Sequence, residues 1–481
     1  MTPLRNRVFP LTITALTPVH IGTGARLAPD VDFYADGDTV FVVDTDVALE
    51  LVAQRWADAQ LAPDEQRRQA EAALEVEEQR LLRRRERNKL EIEQFPASPP
   101  QDRRKVPQWE QRKEKLVREV SEIKALTAQL KARRAELATQ VFADTLALPD
   151  DLVGNSGLAD LLNMGQLTLA DLRERATFDG RPLVRYALAG RLAANAELYE
   201  MIKDVADHPY LPGSSLKGAI RSALAWDVAA SLAPATLQQI GRSAKTADDD
   251  IEAAIFLGQL GPDRQRMNNT LRDVLRTLHI GDSAPVTVPP ELLNVAIFRS
   301  SSQRTARLAV EAIPAATVLR ATLQVERYPF ESAEAKRVIT FDRWQARLAP
   351  EALAQTCRAR ARDLIAGERA YFDAFPEATE VARFYQRLEE QLAALGPRAF
   401  LLPVGWGAGW RSKTLDTRLR GIGAADESFA DAVRGFKLKK HKSATYQPGG
   451  SFPDTRKLAL AGDRPSRPLG WLRVELGEEK A

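Results

Sequence analysis

Residues Leu11–Gly24 read LTITALTPVHIGTG, and this stretch gives the first indication of the fold. In Leu11–Leu16 apolar and polar side chains alternate, which is the period-two pattern of a half-buried β-strand. Pro18 ends that strand, and Gly22 and Gly24 predict a loop directly after it. The chain is therefore expected to begin with β structure that leads into a glycine-rich loop.

Strand signals recur along the chain and alternate with helical segments. Two strand-like segments, 31–34 and 39–43, flank Asp36-Gly37-Asp38, a typical hairpin turn. Further strands are predicted around 278–280, 286–288, 310–313, 318–325 and 471–476, the third and fourth of these joined in a hairpin by 314–316, whereas 144–207 and 332–395 are typical of helices. Short strands interleaved with helices predict an α+β fold with two lobes of similar size.

Residues 64–140 differ sharply from their surroundings. They are rich in helix-forming residues, and Leu116, Ile123, Leu130 and Leu137 recur every seven positions. Prolines at 96, 99, 100 and 107 exclude one continuous helix. We interpret the segment as an inserted antiparallel helical hairpin with solvated outer faces, with contact to RNA or a partner as the alternative.

Length, composition and charge limit the class of protein. The 481 residues, 44% apolar and 28% charged, are typical of a soluble protein with two or three folding units. No apolar run is long enough to span a membrane, and the single cysteine, Cys357, excludes an internal disulfide, so a reducing cytoplasm is expected. The net charge of +3 hides basic clusters in 64–140 and at Arg434, Lys437, Lys439, Lys440, His441 and Lys442, which suit either phosphate contacts or an ordinary solvated surface.

Pro212–Arg221 reads PGSSLKGAIR and predicts a loop followed by a helix. Ser214 or Ser215 could cap the helix, whose first turn would offer free N–H groups to an anion. Lys217 and Arg221 are four residues apart and would therefore project from one face. Together they could hold a phosphate backbone, although two incidental surface cations explain the pattern equally simply.

A second loop, GWGAGWRSKT, occupies 405–414. Its three glycines, Gly405, Gly407 and Gly409, allow close approach of the backbone, and Arg411 and Lys413 add positive charge. Trp406 and Trp410 could stack on bases, or they could belong to the core beneath a tight turn. The spacing is not that of a phosphate-binding P-loop or of a dinucleotide fingerprint.

His20 is the residue that most invites a catalytic interpretation, because histidine can act as general base on a ribose 2′-hydroxyl. A hydrogen-bonded structural role is the alternative. The four histidines lack metal-ligand spacing, so no metal and no cofactor are expected. Asp282 could be a metal ligand or base, or it could end a strand.

These segments together resemble the RAMP superfamily of CRISPR-associated RNA-binding proteins. Within it, the resemblance is to the subunits that cap the crRNA 3′ end in type III-A (Csm) effector complexes. The matching segments, in the order of the family, are 16–24, 210–218 with Arg221, 280–283, 310–314, 405–414 and 468–471. The hairpin at 64–140 has no counterpart in this pattern and is expected to be an insertion.

The resemblance implies two ferredoxin-like, RRM-type lobes of antiparallel sheet and a place at the end of a ribonucleoprotein filament. It also implies crRNA and target RNA as candidate ligands, neighbouring RAMP backbone subunits as partners, and a role in crRNA maturation and antiviral defence without contact to a membrane. The residues expected to bind RNA are His20, Gly22, Gly24, Ser214, Ser215, Lys217, Arg221, Gly405, Trp406, Gly407, Gly409, Trp410, Arg411 and Lys413.

The predicted boundaries are 1–63 for the start of the first lobe, 64–140 for the hairpin, 141–330 for the rest of that lobe, and 331–481 for the C-terminal lobe. Two function classes remain open. The favoured one is a non-catalytic RNA-binding assembly subunit, to which no catalytic residue is assigned. The other is a metal-independent CRISPR endoribonuclease, with His20 as general base and Lys217 stabilising the phosphate.

Overall fold

The computed structural model describes residues 5–101, 104–139, 157–163, 166–193, 196–237, 239–241, 243–299, 307–420, 424–439, 445–450 and 452–480. The chain forms two compact units, one made of Met1–Val43 with Val184–Ala481 and the other of Asp44–Leu183. The unit that contains the hairpin, Asp44–Leu183, therefore extends beyond both ends of the predicted insertion at 64–140. Lys440, His441 and Lys442 of the second basic cluster lie outside the described residues.

The described residues form an α+β structure, as expected. The strands are β1 Arg7–Ala15, β2 Gly22–Leu27, β3 Phe33–Asp36, β4 Thr39–Val43, β5 Thr177–Phe178, β6 Arg181–Pro182, β7 Val184–Ala189, β8 Leu198–Met201, β9 Gln259–Leu260, β10 Leu278–Ile280, β11 Glu291–Arg299, β12 Arg307–Ala312, β13 Val318–Val325, β14 Ile339–Thr340, β15 Ala399–Pro403, β16 Thr455–Ala461, β17 Arg464–Pro468 and β18 Trp471–Leu476. The helices are α1 Thr45–Glu93, α2 Val106–Thr139, Leu158–Asn163, Leu169–Arg173, Gly213–Ala229, Pro234–Leu237, Asp249–Phe256, Asn269–Arg272, Tyr328–Glu331, Ala333–Val338, Asp342–Arg347, Pro350–Phe372, Thr379–Ala393, Asp416–Leu419 and Ala424–Gly435, with 3₁₀ turns at Val274–Thr277, Pro376–Ala378 and Arg411–Lys413.

The first sheet is antiparallel, in the order β10-β13-β1-β18-β15. β1 lies at its centre, and Phe9, Leu11, Ile13 and Ala15 are buried in alternation with half-buried neighbours. The expected period-two strand is therefore confirmed. The helix Gly213–Ala229 packs its apolar face into the same core as these side chains.

The second sheet has the order β17-β16-β11-β12-β8-β2, and its neighbours are antiparallel except for the parallel pair β12 and β8. The segment 331–481 supplies strands to both sheets, because β15 and β18 join the first and β16 and β17 the second. The C-terminal segment therefore completes both sheets instead of building one of its own. Most strands of these two sheets pair with strands that are distant in the sequence.

The predicted hairpin between 310–313 and 318–325 is wrong. β12 lies in the second sheet and β13 in the first, so the intervening residues cross from one sheet to the other. The physical reason is burial: Val310 packs in an apolar cluster of the second sheet, whereas Leu319 and Leu323 pack in the large core beneath the first. A short connection is compatible with either arrangement, and the two cores decide between them.

A third sheet has the order β3-β4-β7. The hairpin of β3 and β4 is confirmed, with Gly37 at a φ of 62° in its turn. The helical prediction for 144–207 is wrong where β7 and β8 form. Val184, Tyr186 and Leu188 are buried in alternation with more exposed residues, which is the strand period and not the helical one.

The hairpin unit is built on α1 and α2, which run antiparallel. Arg84 forms ion pairs with Glu119 and Glu122, and Arg134 pairs with Glu78. The seam residues Leu116 and Ile123 are each only 6% exposed, as the heptad pattern indicates. α1 begins at Thr45, where the Asp44 side chain accepts a hydrogen bond from the backbone N–H of Val47. None of the helices described combines the length and apolar character that crossing a bilayer requires.

Candidate nucleic-acid interface

His20 lies inside the protein and not at its surface. Its side chain is 1% exposed, and its Nδ1–H donates to the backbone carbonyl of Glu311 over 2.6 Å. The ring meets Trp406 edge-on, with centroids 5.5 Å apart. Burial lowers the pKa of the imidazole, and the charges of Lys457 and Lys203 act in the same direction, against the Glu311 hydrogen bond. His20 is therefore a neutral, structural histidine in this fold.

A buried polar network surrounds that hydrogen bond. The Glu311 carboxylate is fully buried and accepts from the Tyr186 hydroxyl over 2.6 Å, the Met201 backbone N–H over 2.8 Å and the Lys203 ammonium over 2.5 Å. Burial, followed by the nearby Glu311 charge, raises the pKa of Tyr186. Since a buried carboxylate is stable only when it is paired, this network holds β7, β8 and β12 in a fixed arrangement with the His20 loop.

Four of the sequence motifs meet at the His20 loop. Val19 and Ile313 exchange backbone hydrogen bonds of 3.0 and 2.9 Å, and the Trp406 N–H donates to the His20 carbonyl over 2.9 Å. The Gly470 N–H donates to the Pro18 carbonyl over 2.8 Å. The segments 16–24, 310–314, 405–414 and 468–471 are therefore parts of one interlocked loop region, which the sequence order alone does not reveal.

The glycines of this region allow either close packing or a left-handed backbone conformation. A Cβ at Gly22 would lie 2.9 Å from the His20 Nε2 atom, and one at Gly405 would lie 2.5 Å from the His20 carbonyl oxygen. Gly24, Gly405, Gly407 and Gly409 also have φ values between 80° and 95°, a region that favours glycine. Gly22, Gly24, Gly405, Gly407 and Gly409 thus each have a structural role in this loop region.

An aromatic row crosses one face of the second sheet, formed by Arg26, Tyr199, Trp406 and Lys457. The Arg26 guanidinium carbon lies 4.9 Å from the Tyr199 ring centre, the two aromatic rings are 6.0 Å apart, and the Lys457 Nζ atom lies 3.8 Å from the Trp406 ring centre. Both rings are half-buried over a cluster of Leu293, Val295, Val310, Ala312, Ala459 and Leu469. Two partly accessible rings therefore lie between Arg26, which is ion-paired with Glu197 over 2.8 Å, and Lys457.

Lys413 adds further positive charge near this row. Burial lowers the pKa of Lys457, and the charge of Lys413 lowers it further. Lys413 itself is exposed at the end of the glycine-rich loop. Trp410, by contrast, packs edge-on against Phe452 at 5.1 Å and contacts the large core, and the Arg411 Nη1 atom lies 4.0 Å from Glu368. Lys413 is therefore exposed, whereas Trp410 and Arg411, which are half-buried like Trp406, contact Phe452 and Glu368.

The start of the helix Gly213–Ala229 is capped differently from the prediction. Its N-cap is Pro212, and neither Ser214 nor Ser215 caps it; the expectation of a serine cap is wrong. The Asp282 side chain instead accepts from the Gly213 N–H over 2.7 Å. A Cβ at Gly213 would lie 2.1 Å from the Ile280 carbonyl oxygen, so only glycine allows this contact. Asp282 thus occupies the helix end that was expected to be free for an anion.

Lys217 and Arg221 have unequal environments. The Arg221 guanidinium donates to Asp273 and to Glu252, each over 2.8 Å, and its carbon lies 3.9 Å from the Phe256 ring centre. Within the described residues, Lys217 makes no hydrogen bond or ion pair, and partial burial lowers its pKa. Lys217 is therefore available to a phosphate, whereas Arg221 is already committed to the protein.

The model of the RAMP superfamily matches residues 12–337 of this chain. The chain belongs to the RAMP superfamily. A chain of the cryo-EM structure of a Csm–crRNA–target RNA ternary complex in a type III-A CRISPR-Cas system shares its fold, with 19% identity, a TM-score of 0.57, and coverage of 97% of this chain and 100% of that chain. The crystal structure of T. onnurineus Csm5 aligns over 96% of this chain and 99% of that chain, with 18% identity and a TM-score of 0.49. No curated protein sequence matches the chain.

In this RAMP protein, sequence reasoning missed Arg26, Tyr199 and Lys457. Each stands alone in its own strand, and only the pairing of β2, β8, β12, β11 and β16 brings them to one face. Among the residues that the structure describes, no group of three His, Cys, Asp or Glu side chains could hold a metal ion. The groups that the RAMP fold gathers here are aromatic rings and cations.

Proposed function

We propose that this RAMP protein is an RNA-binding subunit of a type III-A CRISPR ribonucleoprotein effector complex that caps the crRNA 3′ end. The observation that supports the proposal most directly is the aromatic row with its flanking cations on one sheet face. The fold shared with a chain of the Csm–crRNA–target RNA complex favours this kind of assembly over others. Its partners would be crRNA, target RNA and neighbouring RAMP backbone subunits in the cytoplasm, and its process crRNA maturation and antiviral defence.

The row suits single-stranded RNA for two reasons. Bases stack on aromatic side chains whatever their sequence, and cations beside the rings neutralise the phosphates that accompany each base. Tyr199 and Trp406 supply the rings, and Lys457 and Lys413 supply cations. A subunit that holds the guide without choosing its sequence needs this combination, because the guide differs from one complex to the next.

The row can be tested with purified protein and a labelled single-stranded RNA. We expect Trp406→Leu to weaken binding by roughly 5-fold to 150-fold, because stacking is worth about 1–3 kcal/mol per base. Lys457→Ala should weaken binding and flatten the log–log salt dependence by about 0.7. Lys336→Ala, at an exposed lysine of the helix Ala333–Val338, is the matched control. Unchanged binding and salt slope in both row variants, with intact folding, would refute the proposal for this surface.

The endoribonuclease alternative receives no support from the geometry of His20. A general base must reach the proton that it removes, and the His20 side chain is 1% exposed and hydrogen-bonded to Glu311. We expect His20→Ala to leave crRNA trimming by the assembled complex unchanged. A purified protein that cleaves RNA in EDTA, and loses this activity with His20→Ala while it still folds and binds RNA, would restore the alternative.

A further inference from the structure

A groove of about 730 Å³ lies between the two helices of the hairpin, α1 and α2. Its apolar lining includes Ile92, Val120 and Ile123, and the Ile92 side chain is 44% exposed. Four exposed cations also line it, two from each helix: Arg85, Lys89, Lys124 and Lys131. We call it the basic groove, because it combines an accessible apolar surface with positive charge contributed by both helices.

The cations of the basic groove are like charges on neighbouring helices. Lys89, Lys124 and Lys131 each stand one position after a residue of the heptad seam, and all three line the same groove. Glu93, the one acidic residue among those that line it, lies 3.8 Å from Lys89. Within the described residues, Arg85, Lys124 and Lys131 form no ion pair. The positive charge of the groove is therefore mostly uncompensated.

The other side of the seam is different, because there the two helices neutralise each other. Arg84 pairs with Glu119 and Glu122, and Arg133 lies 3.9 Å from Glu77. Both arginines stand three positions after a seam residue, so they flank the seam opposite the lysines, and both line a separate groove. Flanking charges decide which helices of a coiled coil associate. The hairpin thus pairs with itself on one side and presents unpaired positive charge on the other.

We propose that the basic groove docks an acidic amphipathic helix of a partner protein. Its apolar face would cover Ile92, Val120 and Ile123, and its carboxylates would pair with the four cations, in the way that amphipathic helices lay an apolar face into a groove. Val120 and Lys131 are eleven positions apart in α2, about 17 Å of helix, which matches about three turns of a partner helix. The inference goes beyond the proposed function, since it concerns the inserted hairpin and not the sheet face that carries the aromatic row.

The lining of the groove favours this occupant over RNA and over a second copy of the chain. No aromatic side chain is among the described residues that line it, so bases have no ring on which to stack. A phosphate backbone would pair with the cations and leave the apolar surface of Ile92 uncovered. A second copy that docked groove to groove would bring like charges together, which is unfavourable. An acidic helix satisfies both the cations and the apolar lining.

Synthetic helical peptides test the groove in the full chain. The probe is a labelled peptide of three heptads with leucine at the seam positions and glutamate at the flanking positions, and its counterpart carries lysine in place of each glutamate. In fluorescence anisotropy the acidic peptide should bind at least about tenfold more tightly than the basic one. Ile92→Ser, which removes apolar surface without changing the charge, should weaken binding of the acidic peptide at least about fivefold.

Charge reversal supplies the sharper test. Lys124→Glu together with Lys131→Glu should reverse the preference, so that the basic peptide binds more tightly. Lys115→Glu together with Arg118→Glu changes the charge of α2 by the same amount, at exposed cations that do not line the groove, and should preserve the preference for the acidic peptide. All four side chains are exposed, so the variants should fold, which thermal denaturation checks.

Equal affinity for the two peptides, or a preference for the acidic peptide that survives the Lys124→Glu and Lys131→Glu pair, would overturn the inference. If this pair instead weakens binding of single-stranded RNA as strongly as Lys457→Ala does, the groove is an RNA contact; the inference is then refuted while the RNA-binding function stands. If sedimentation shows that the chain self-associates and that the same pair abolishes the association, the groove is an interface between copies, which also refutes the inference.

Discussion

At the scale of single residues, packing within the protein accounts for several motif residues without any contact to a ligand. Gly22 and Gly405 leave room for His20, Gly213 leaves room for the Ile280 carbonyl, and Asp282 caps the helix that Gly213 begins. Of these residues, Gly22 and Gly405 lie in the loop region that carries Trp406 of the aromatic row. Their substitution should therefore change stability first and RNA binding only as a consequence.

His20 makes a pH-dependent contribution to stability with a definite sign. Burial and the charges of Lys457 and Lys203 lower its pKa in the folded state below the value of about 6.5 that is usual for histidine. Below about pH 6.5 the unfolded chain binds a proton that the folded protein does not, so the free energy of unfolding falls as the pH decreases. The slope from this group is at most about 1.4 kcal/mol per pH unit.

We expect His20→Gln to flatten the loss of stability between about pH 7 and pH 5, as measured by chemical denaturation at each pH. Parallel stability profiles for wild type and His20→Gln would contradict the assignment of a neutral, buried imidazole.

Single substitutions of Lys217 and Arg221 should have different effects on stability and on RNA binding. Arg221→Ala removes two charge-assisted hydrogen bonds and the contact with Phe256, and we expect it to cost about 1–3 kcal/mol of stability, since Arg221 is partly exposed. Lys217→Ala should leave the thermal midpoint unchanged and reduce the salt slope of RNA binding by about 0.7. Filter binding and thermal denaturation of both variants measure the two effects. If Lys217→Ala instead lowers the stability and Arg221→Ala instead reduces the salt slope, the roles assigned to the two residues must be exchanged.

At the scale of helices and strands, the sequence predicts local structure but does not predict which strands pair with one another. The alternation in β1, the turn between β3 and β4 and the heptads of α2 lie within a few residues of one another, so the sequence predicts them. The separation of β12 from β13, and the row that joins Tyr199 to Lys457, depend on strands that are distant in the chain. The register between such strands is decided by which apolar faces are buried together. The sequence of one strand does not determine which other strand it pairs with.

The hairpin of α1 and α2 is the element that should be separable from the rest. Leu116 and Ile123 are buried within it, and its ion pairs join one helix to the other. We expect replacement of residues 76–135 by a short Gly/Ser linker to leave a cooperative thermal transition within about 4 °C of the parent. Aggregation, or loss of the cooperative transition, would show that the removed segment is needed by the remaining fold.

At the scale of the whole molecule, the last prediction concerns the assembled complex. If this subunit caps the crRNA 3′ end, weakening its hold on RNA should expose that end to cellular nucleases. We expect complexes purified with Trp406→Leu and Lys457→Ala together to contain crRNA with intact 5′ ends and shorter, more heterogeneous 3′ ends, measured by sequencing both ends of the copurified RNA. Lys336→Ala is the control. Altered 5′ ends with unchanged 3′ ends would place the subunit at the other end of the guide, and unchanged ends throughout, with the variant subunit still present in the complex, would show that the aromatic row does not protect the guide.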